Sequence, residues 1–239
     1  MIKIAYDGTN YNGWQTGTDK IGIESVLNKK ISKLTGEDIK IIGTSRTDSG
    51  VHSNGNIAVF DTESNINPDK FFYALNNELP DDISILSSKE VDKNFHARFS
   101  AKKKEYVYKI YTGKELPFYA RTHYLVKDKV DLKLLKEASK VFIGKHNFQN
   151  LTSKERDDKD FVRTIYSIKI NKKKDEILIS LTGNAFMRYM VRDIVAEMIL
   201  VATKKQQLSD LRRLFSKPRH ITNHKAPAEG LYLNKVFYE

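Results

Sequence analysis

The stretch Thr44–Phe60, TSRTDSGVHSNGNIAVF, decides how the chain is read. Its end, Asn56–Phe60, and the run before it, Ile39–Thr44, read as strands. The loop between them carries a basic residue, a carboxylate, a glycine and a histidine: Arg46, Asp48, Gly50 and His52. Strands on both sides of a charged loop fix the geometry of its exposed groups. An aspartate in a loop commonly caps its own turn. Here a nearby guanidinium, Arg46, favours the ionised carboxylate that a nucleophile or general base requires, and Gly50 permits a close backbone approach.

Working outward from this loop, Ile2–Tyr6 alternates apolar and polar residues and reads as a strand. Asp7-Gly8-Thr9-Asn10 is turn chemistry, and Trp14, the only tryptophan, reads as a packing residue. Ile23, Val26, Leu27, Ile31 and Leu34 keep helical spacing up to Gly36. After the Asp48 loop, Asn67-Pro68 starts a second helix that runs to Pro80, and Ile83–Glu90 is a strand. The first half therefore runs strand, helix, strand, strand, helix, strand.

The second half repeats that order with one extra helix. Glu105–Thr112 is a strand, and Asp131 starts a helix that ends by Gly144. Lys145–Asp160 is a polar loop, and Arg163–Asn171 with Glu176–Thr182 form a hairpin. An apolar helix covers Phe186–Val201, a shorter one Leu208–Phe215, and Leu231–Phe237 closes the chain as a strand. The repeat is one of element order only. It is the split βαβ, ferredoxin-like pattern. The expectation is an α+β protein of two βαββαβ units, 1–100 and 101–239, joined in one extended mixed sheet with helices packed on it.

Composition narrows the function. Of 239 residues 40% are apolar and 30% charged, and no apolar run approaches the ~20 residues that span a bilayer. No signal-peptide pattern precedes the first strand. Together these point to the cytoplasm and away from a membrane. Cysteine is absent, and the histidines show none of the spacings of a metal site. No glycine-rich phosphate loop occurs, so ATP and NAD chemistry are not indicated. Lys+Arg exceed Asp+Glu by 41 to 30, a net charge of +11 that attracts polyanions. In Lys102–Tyr111, KKKEYVYKIY, the lysines are interleaved with tyrosines, a composition that suits phosphates and unpaired bases.

Two further positions stand out. In Phe186–Val201 the apolar residues fall at 186, 187, 190, 191, 194, 195, 198 and 199, which puts Arg192 at the border of a wide apolar stripe. An arginine half-withdrawn from water needs a partner, usually a carboxylate. Arg188 lies on the same helical face and suits solvent or a phosphate. On Glu105–Thr112, Tyr106 and Tyr108 share one face and Tyr111 takes the other.

Together these residues resemble the tRNA pseudouridine synthase A family along nearly the whole chain. Tyr6-Asp7-Gly8-Thr9 with Tyr11, Gly13, Trp14 and Gln15 is similar to its N-terminal signature, and Arg46–His52 to its RTDAGVH motif. Phe95–Ala101 with Lys104, Tyr106 and Tyr108 resembles its FHARFSA segment. Asn184–Phe186 with Met190–Arg192, Ile194 and Val195 resembles NAF…MVRNIVG, and Ala226–Leu233 resembles AP.EGLYL. Ser45, Ser49, Asp193 and Ala196 depart from the motifs, and none of these removes a group with a chemical role.

The resemblance implies a pseudouridine synthase fold and an isomerase. It would convert uridine to pseudouridine at positions 38–40 of the tRNA anticodon stem-loop, as a homodimer, with neither cofactor nor metal. Asp48 would be the nucleophile. Arg46 would help displace the base, Tyr106 would stack on it, and Arg192 would pair with Asp48. Thr47, His52, Arg98, Tyr108, Arg188 and Leu231 would contact the substrate. The same chemistry on another structured RNA, such as rRNA, and a non-catalytic RNA-binding relative are the alternatives. A glycosidase ranks last, because it needs two carboxylates flanking one bond.

Overall fold

The computed structural model describes residues 1–153, 160–216 and 224–239. Residues 154–159 of the expected Lys145–Asp160 loop, and His220, lie outside them. The chain divides into two compact units: Met1–Lys102 with Tyr232–Glu239, and Lys103–Leu231. The closing strand thus belongs almost entirely to the first unit. Both units are mixed α/β, and the α+β class expected from the sequence is the one observed.

The first unit holds β1 (Ile2–Tyr6), α1 (Ile23–Thr35), β2 (Ile42–Gly43), β3 (His52–Val59), α2 (Phe71–Asn76), β4 (Ile83–Ser88) and β10 (Leu231–Phe237). β1 lies antiparallel between β4 and β3, with Ile2 opposite Ser88 and Ala58. β10 runs parallel to β3, pairing Tyr232 with His52. The alternation in Ile2, Ile4 and Tyr6 places all three in the core with Leu27 and Ile31 of α1 and Leu75 of α2. Each fully buried side chain of that size contributes roughly 1.5–3 kcal/mol. Gly36 ends α1 at φ 77°, the left-handed backbone that glycine takes without a Cβ clash.

β2 is much shorter than the expected strand Ile39–Thr44. The cause is local: the Ile39 N–H donates to Ser32 Oγ and the Ile41 N–H to Asn28 Oδ1, both at 2.9 Å. Side chains of α1 therefore take the amides that a neighbouring strand would have used. Asn67 caps as expected, accepting from the Asp69 N–H at 2.9 Å, but a 3₁₀ turn, Pro68–Lys70, precedes the six-residue α2.

The second unit holds β5 (Lys103–Tyr111), β6 (Tyr124–Leu125), α3 (Leu132–Val141), β7 (Gly144–Asn147), β8 (Val162–Lys173), β9 (Glu176–Gly183), α4 (Met190–Ala202) and α5 (Leu208–Ser216). β5, β9, β8 and β7 pair in that order, all antiparallel. Asp131 caps α3 by accepting from the Lys133 and Leu134 N–H groups. α3 packs on α4, and both bury an apolar stripe. The sequence pattern starts α4 too early. Tyr189 takes φ 67°, so Phe186–Tyr189 lies outside the helix, and Arg188 does not share a helical face with Arg192.

Candidate active site

In the first unit the segment Ser45–His52 is tied down by the N-terminal segment it faces. Tyr6 Oη and Thr47 Oγ1 are 2.8 Å apart and buried. The Trp14 N–H donates to the Thr47 carbonyl at 3.1 Å, and Trp14 itself is 1% exposed, with its indole N–H on Glu24. Gly13 stands against the same carbonyl with φ 83°, and a Cβ there would lie 2.1 Å from the Thr47 oxygen. The Ser49 hydroxyl and the Gly50 N–H both donate to the Tyr11 carbonyl. Gly50 has φ 78°, and the Val51 N–H donates to the Asp48 carbonyl at 3.1 Å, closing the turn.

These bonds decide what is exposed. Thr47 and His52 are buried, Asp48 is half-buried and Arg46 is exposed. The loop therefore has a fixed backbone with Asp48 and Arg46 at its turn. His52 Nδ1 accepts the Gly8 N–H at 3.1 Å, and its ring stacks on Tyr232 at 4.5 Å. Burial, then the field of Asp7, pushes the Tyr232 hydroxyl up to about 12. Ahead of the loop, Thr44 Oγ1 lies 2.7 Å from Tyr238 Oη, and both lie 3.0 Å from the Ala97 carbonyl. Ala97 precedes Arg98, which is exposed and has its N–H on His96 Nδ1. The connector read from Asn94–Ala101 is thus fastened to the start of the Asp48 loop.

In the second unit Tyr108 and Arg192 converge on the segment Lys225–Leu231. Tyr106 and Tyr108 point to the buried side of β5, as the alternation requires. Tyr106 is 9% exposed and meets the Phe186 ring edge-on at 5.1 Å. Tyr108 is fully buried and donates its hydroxyl to the Pro227 carbonyl at 2.6 Å. Burial raises that phenol well above its ordinary value, and the charge of Arg192 pulls the other way. Gly230 is required here, since a Cβ would lie 2.7 Å from the Tyr108 ring. Arg192 is half-buried, and its Nε–H donates to the Ala226 carbonyl at 2.7 Å. Leu231 is 5% exposed, and Arg188 is exposed just ahead of α4.

Two things escaped the sequence reading. The Tyr6–Thr47 contact joins residues far apart in the chain, although Gly8 and Gly13 were a signal of close backbone approach. Lys225 and Tyr189 also come together only in space. Among the described residues no group of acidic and histidine side chains is arranged to hold a metal ion. No helix of the described residues is long and apolar enough to cross a membrane.

The chain matches the family profile described as tRNA pseudouridine synthase over residues 2–100 and 138–239. It is similar to the tRNA pseudouridine synthase A of Thermoanaerobacter sp. (strain X514), 38% identical over 100% of this chain and 98% of that one. The tRNA pseudouridine synthase A of Acetivibrio thermocellus is 40% identical over 98% and 97%. The tRNA pseudouridine synthase A 2 of Clostridium tetani is 42% identical over 99% and 97%.

Proposed function

We propose, for a chain that belongs to the tRNA pseudouridine synthase family, that Asp48 opens the conversion of uridine to pseudouridine in tRNA. The protein is an isomerase. In the reaction the bond between the ribose C1′ and N1 of uracil breaks, the base turns over, and C1′ bonds to C5. The proton lost from C5 is balanced by the one gained at N1, so atoms and electrons balance within the substrate.

The observation that carries the role of Asp48 is the frame around it: a half-buried carboxylate at a turn whose neighbours Thr47, Gly50 and Val51 are all hydrogen-bonded. Reaction at a single carbon requires that order of positioning. In this reading Arg192 pairs with Asp48 and keeps it ionised. Arg46 displaces the target base, which leaves the helical stack to be held against Tyr106. Thr47 and His52 serve the substrate by fixing the loop, while Tyr108 and Leu231 shape the segment Ala226–Leu231. Arg98 and Arg188, both exposed, meet the RNA backbone.

The substrate we propose is the anticodon stem-loop of tRNA at positions 38–40, with the chain acting as a homodimer in the cytoplasm. Carbodiimide-dependent reverse-transcription stops on unmodified tRNA incubated with the protein test this reading. New stops at those positions are expected. Stops confined to another region, or to rRNA, would replace the proposed substrate.

A further inference from the structure

The second unit gathers cations around one ring, Tyr189, and neither that ring nor Lys225 has a part in the proposed chemistry. Tyr189 has φ 67°, a backbone that a bulky aromatic residue rarely takes. Among the described residues the other non-glycine positions with positive φ are Lys174, in the β8–β9 turn, and Lys204, just past α4. Both close an ordinary turn. At Tyr189 the ring instead meets three positive groups. Lys225 Nζ lies 3.5 Å from its centroid, Arg188 Cζ 4.8 Å and Arg192 Cζ 5.4 Å.

A ring attracts each cation through its quadrupole. Arg192 is the cation of the proposed pair with Asp48, and the exposed Arg188 and Lys225 beside the same ring suit a backbone phosphate. The frame is already set. The Ala226 N–H donates to the Arg192 carbonyl at 3.2 Å, while Arg192 Nε–H donates back to the Ala226 carbonyl. Thr152 Oγ1 donates to the Arg188 carbonyl at 3.0 Å. Arg188 and Lys225 are exposed, so the cluster opens to solvent. With Lys225 seated on the ring face, Tyr189 is not placed to stack a base, which leaves the RNA backbone as the group to be recognised.

We propose that Arg188, Tyr189 and Lys225 form a clamp for a backbone phosphate of the RNA substrate, with the Tyr189 ring holding the cations in place. The proposal rests on the reading that this chain acts on RNA. The test is filter binding of an unmodified tRNA transcript across a series of salt concentrations. Lys225→Gln is expected to weaken binding several-fold and to shallow the slope of log K against log[salt] by about 0.7–0.9, the share of one phosphate contact. Tyr189→Leu is expected to match it, Tyr189→Phe to retain wild-type binding, and the double variant Tyr189→Leu/Lys225→Gln to be no worse than either. Lys33→Gln removes the same charge from a lysine that pairs with Glu78, and its slope is expected to stay at the wild-type value.

An unchanged slope in Lys225→Gln, or equal loss in Tyr189→Phe and Tyr189→Leu, overturns the clamp. So does full displacement of tRNA by inorganic phosphate at matched ionic strength, which would mark a site for a small anion. If the wild type forms pseudouridine and the slope does not change, only the clamp fails. If the wild type neither binds tRNA nor modifies it, the functional reading fails as well.

Discussion

The Ser45–His52 loop of the first unit and the Asn184–Tyr189 segment of the second are built on opposite plans. The loop is cross-tied by hydrogen bonds to Tyr6, Tyr11 and Trp14, with its polar neighbours Thr47 and His52 buried. The segment ahead of α4 keeps its one cationic side chain, Arg188, on the surface beside a ring in a costly backbone conformation, where Lys225 meets it. The difference teaches what each task demands. In the role proposed for Asp48, a carboxylate that attacks one carbon needs a fixed backbone. Phosphate groups repeat along a strand and are held by charge at longer range, so exposed cations suffice.

The largest expected break in this comparison is Gly13→Ala. A side chain there takes a left-handed backbone, which alone costs about 1–2 kcal/mol, and its Cβ would fall 2.1 Å from the Thr47 oxygen. Urea unfolding is expected to show at least that loss, and turnover to fall further than stability explains. Unchanged turnover would mean that the loop does not depend on its frame.

The next effect comes from pH. Burial pushes the hydroxyls of Tyr232 and Tyr238 up to about 12 from 10.0, and Tyr11 is raised as well. Above pH 10 the unfolded chain releases these protons before the folded one does. The stability they contribute is therefore full below pH 10 and is lost as pH rises towards 12. Chemical unfolding at stepped pH is expected to show a decline that begins near pH 10. A flat profile to pH 12 would contradict the burial of these phenols around the loop.

A smaller and sharper effect is expected of Tyr6→Phe, which removes one hydrogen bond and little volume. The cost is about 1–2 kcal/mol, because Thr47 Oγ1 loses a buried partner. The loss is expected in kcat, with tRNA affinity kept. A loss in affinity alone would assign Tyr6 to binding.

Much of the fold was legible because local signals agreed with the tertiary result. The alternation in Ile2–Tyr6, Gly36 at the end of α1, and Asp131 capping α3 all held. The misreadings have physical causes. Ile39 and Ile41 look like strand residues, but their amides are taken by Ser32 and Asn28 of α1. Phe186 and Met187 continue the apolar period of α4, yet the left-handed Tyr189 stops the helix from reaching them. Asp48 was visible from its neighbours in sequence. The contacts that position it, from Tyr6 and Gly13, form only when β1 and β3 pair, and Lys225 meets Tyr189 only through the folded second unit.

The most direct measurement is single-turnover pseudouridine formation on an unmodified tRNA transcript by the Asp48→Asn variant, with RNA affinity measured alongside. This exchange preserves size and removes the carboxylate proposed as the nucleophile. No pseudouridine, with affinity within a few-fold of the wild type, is the predicted result. Product formed at a rate near that of the wild type would remove Asp48 from the centre of the reaction.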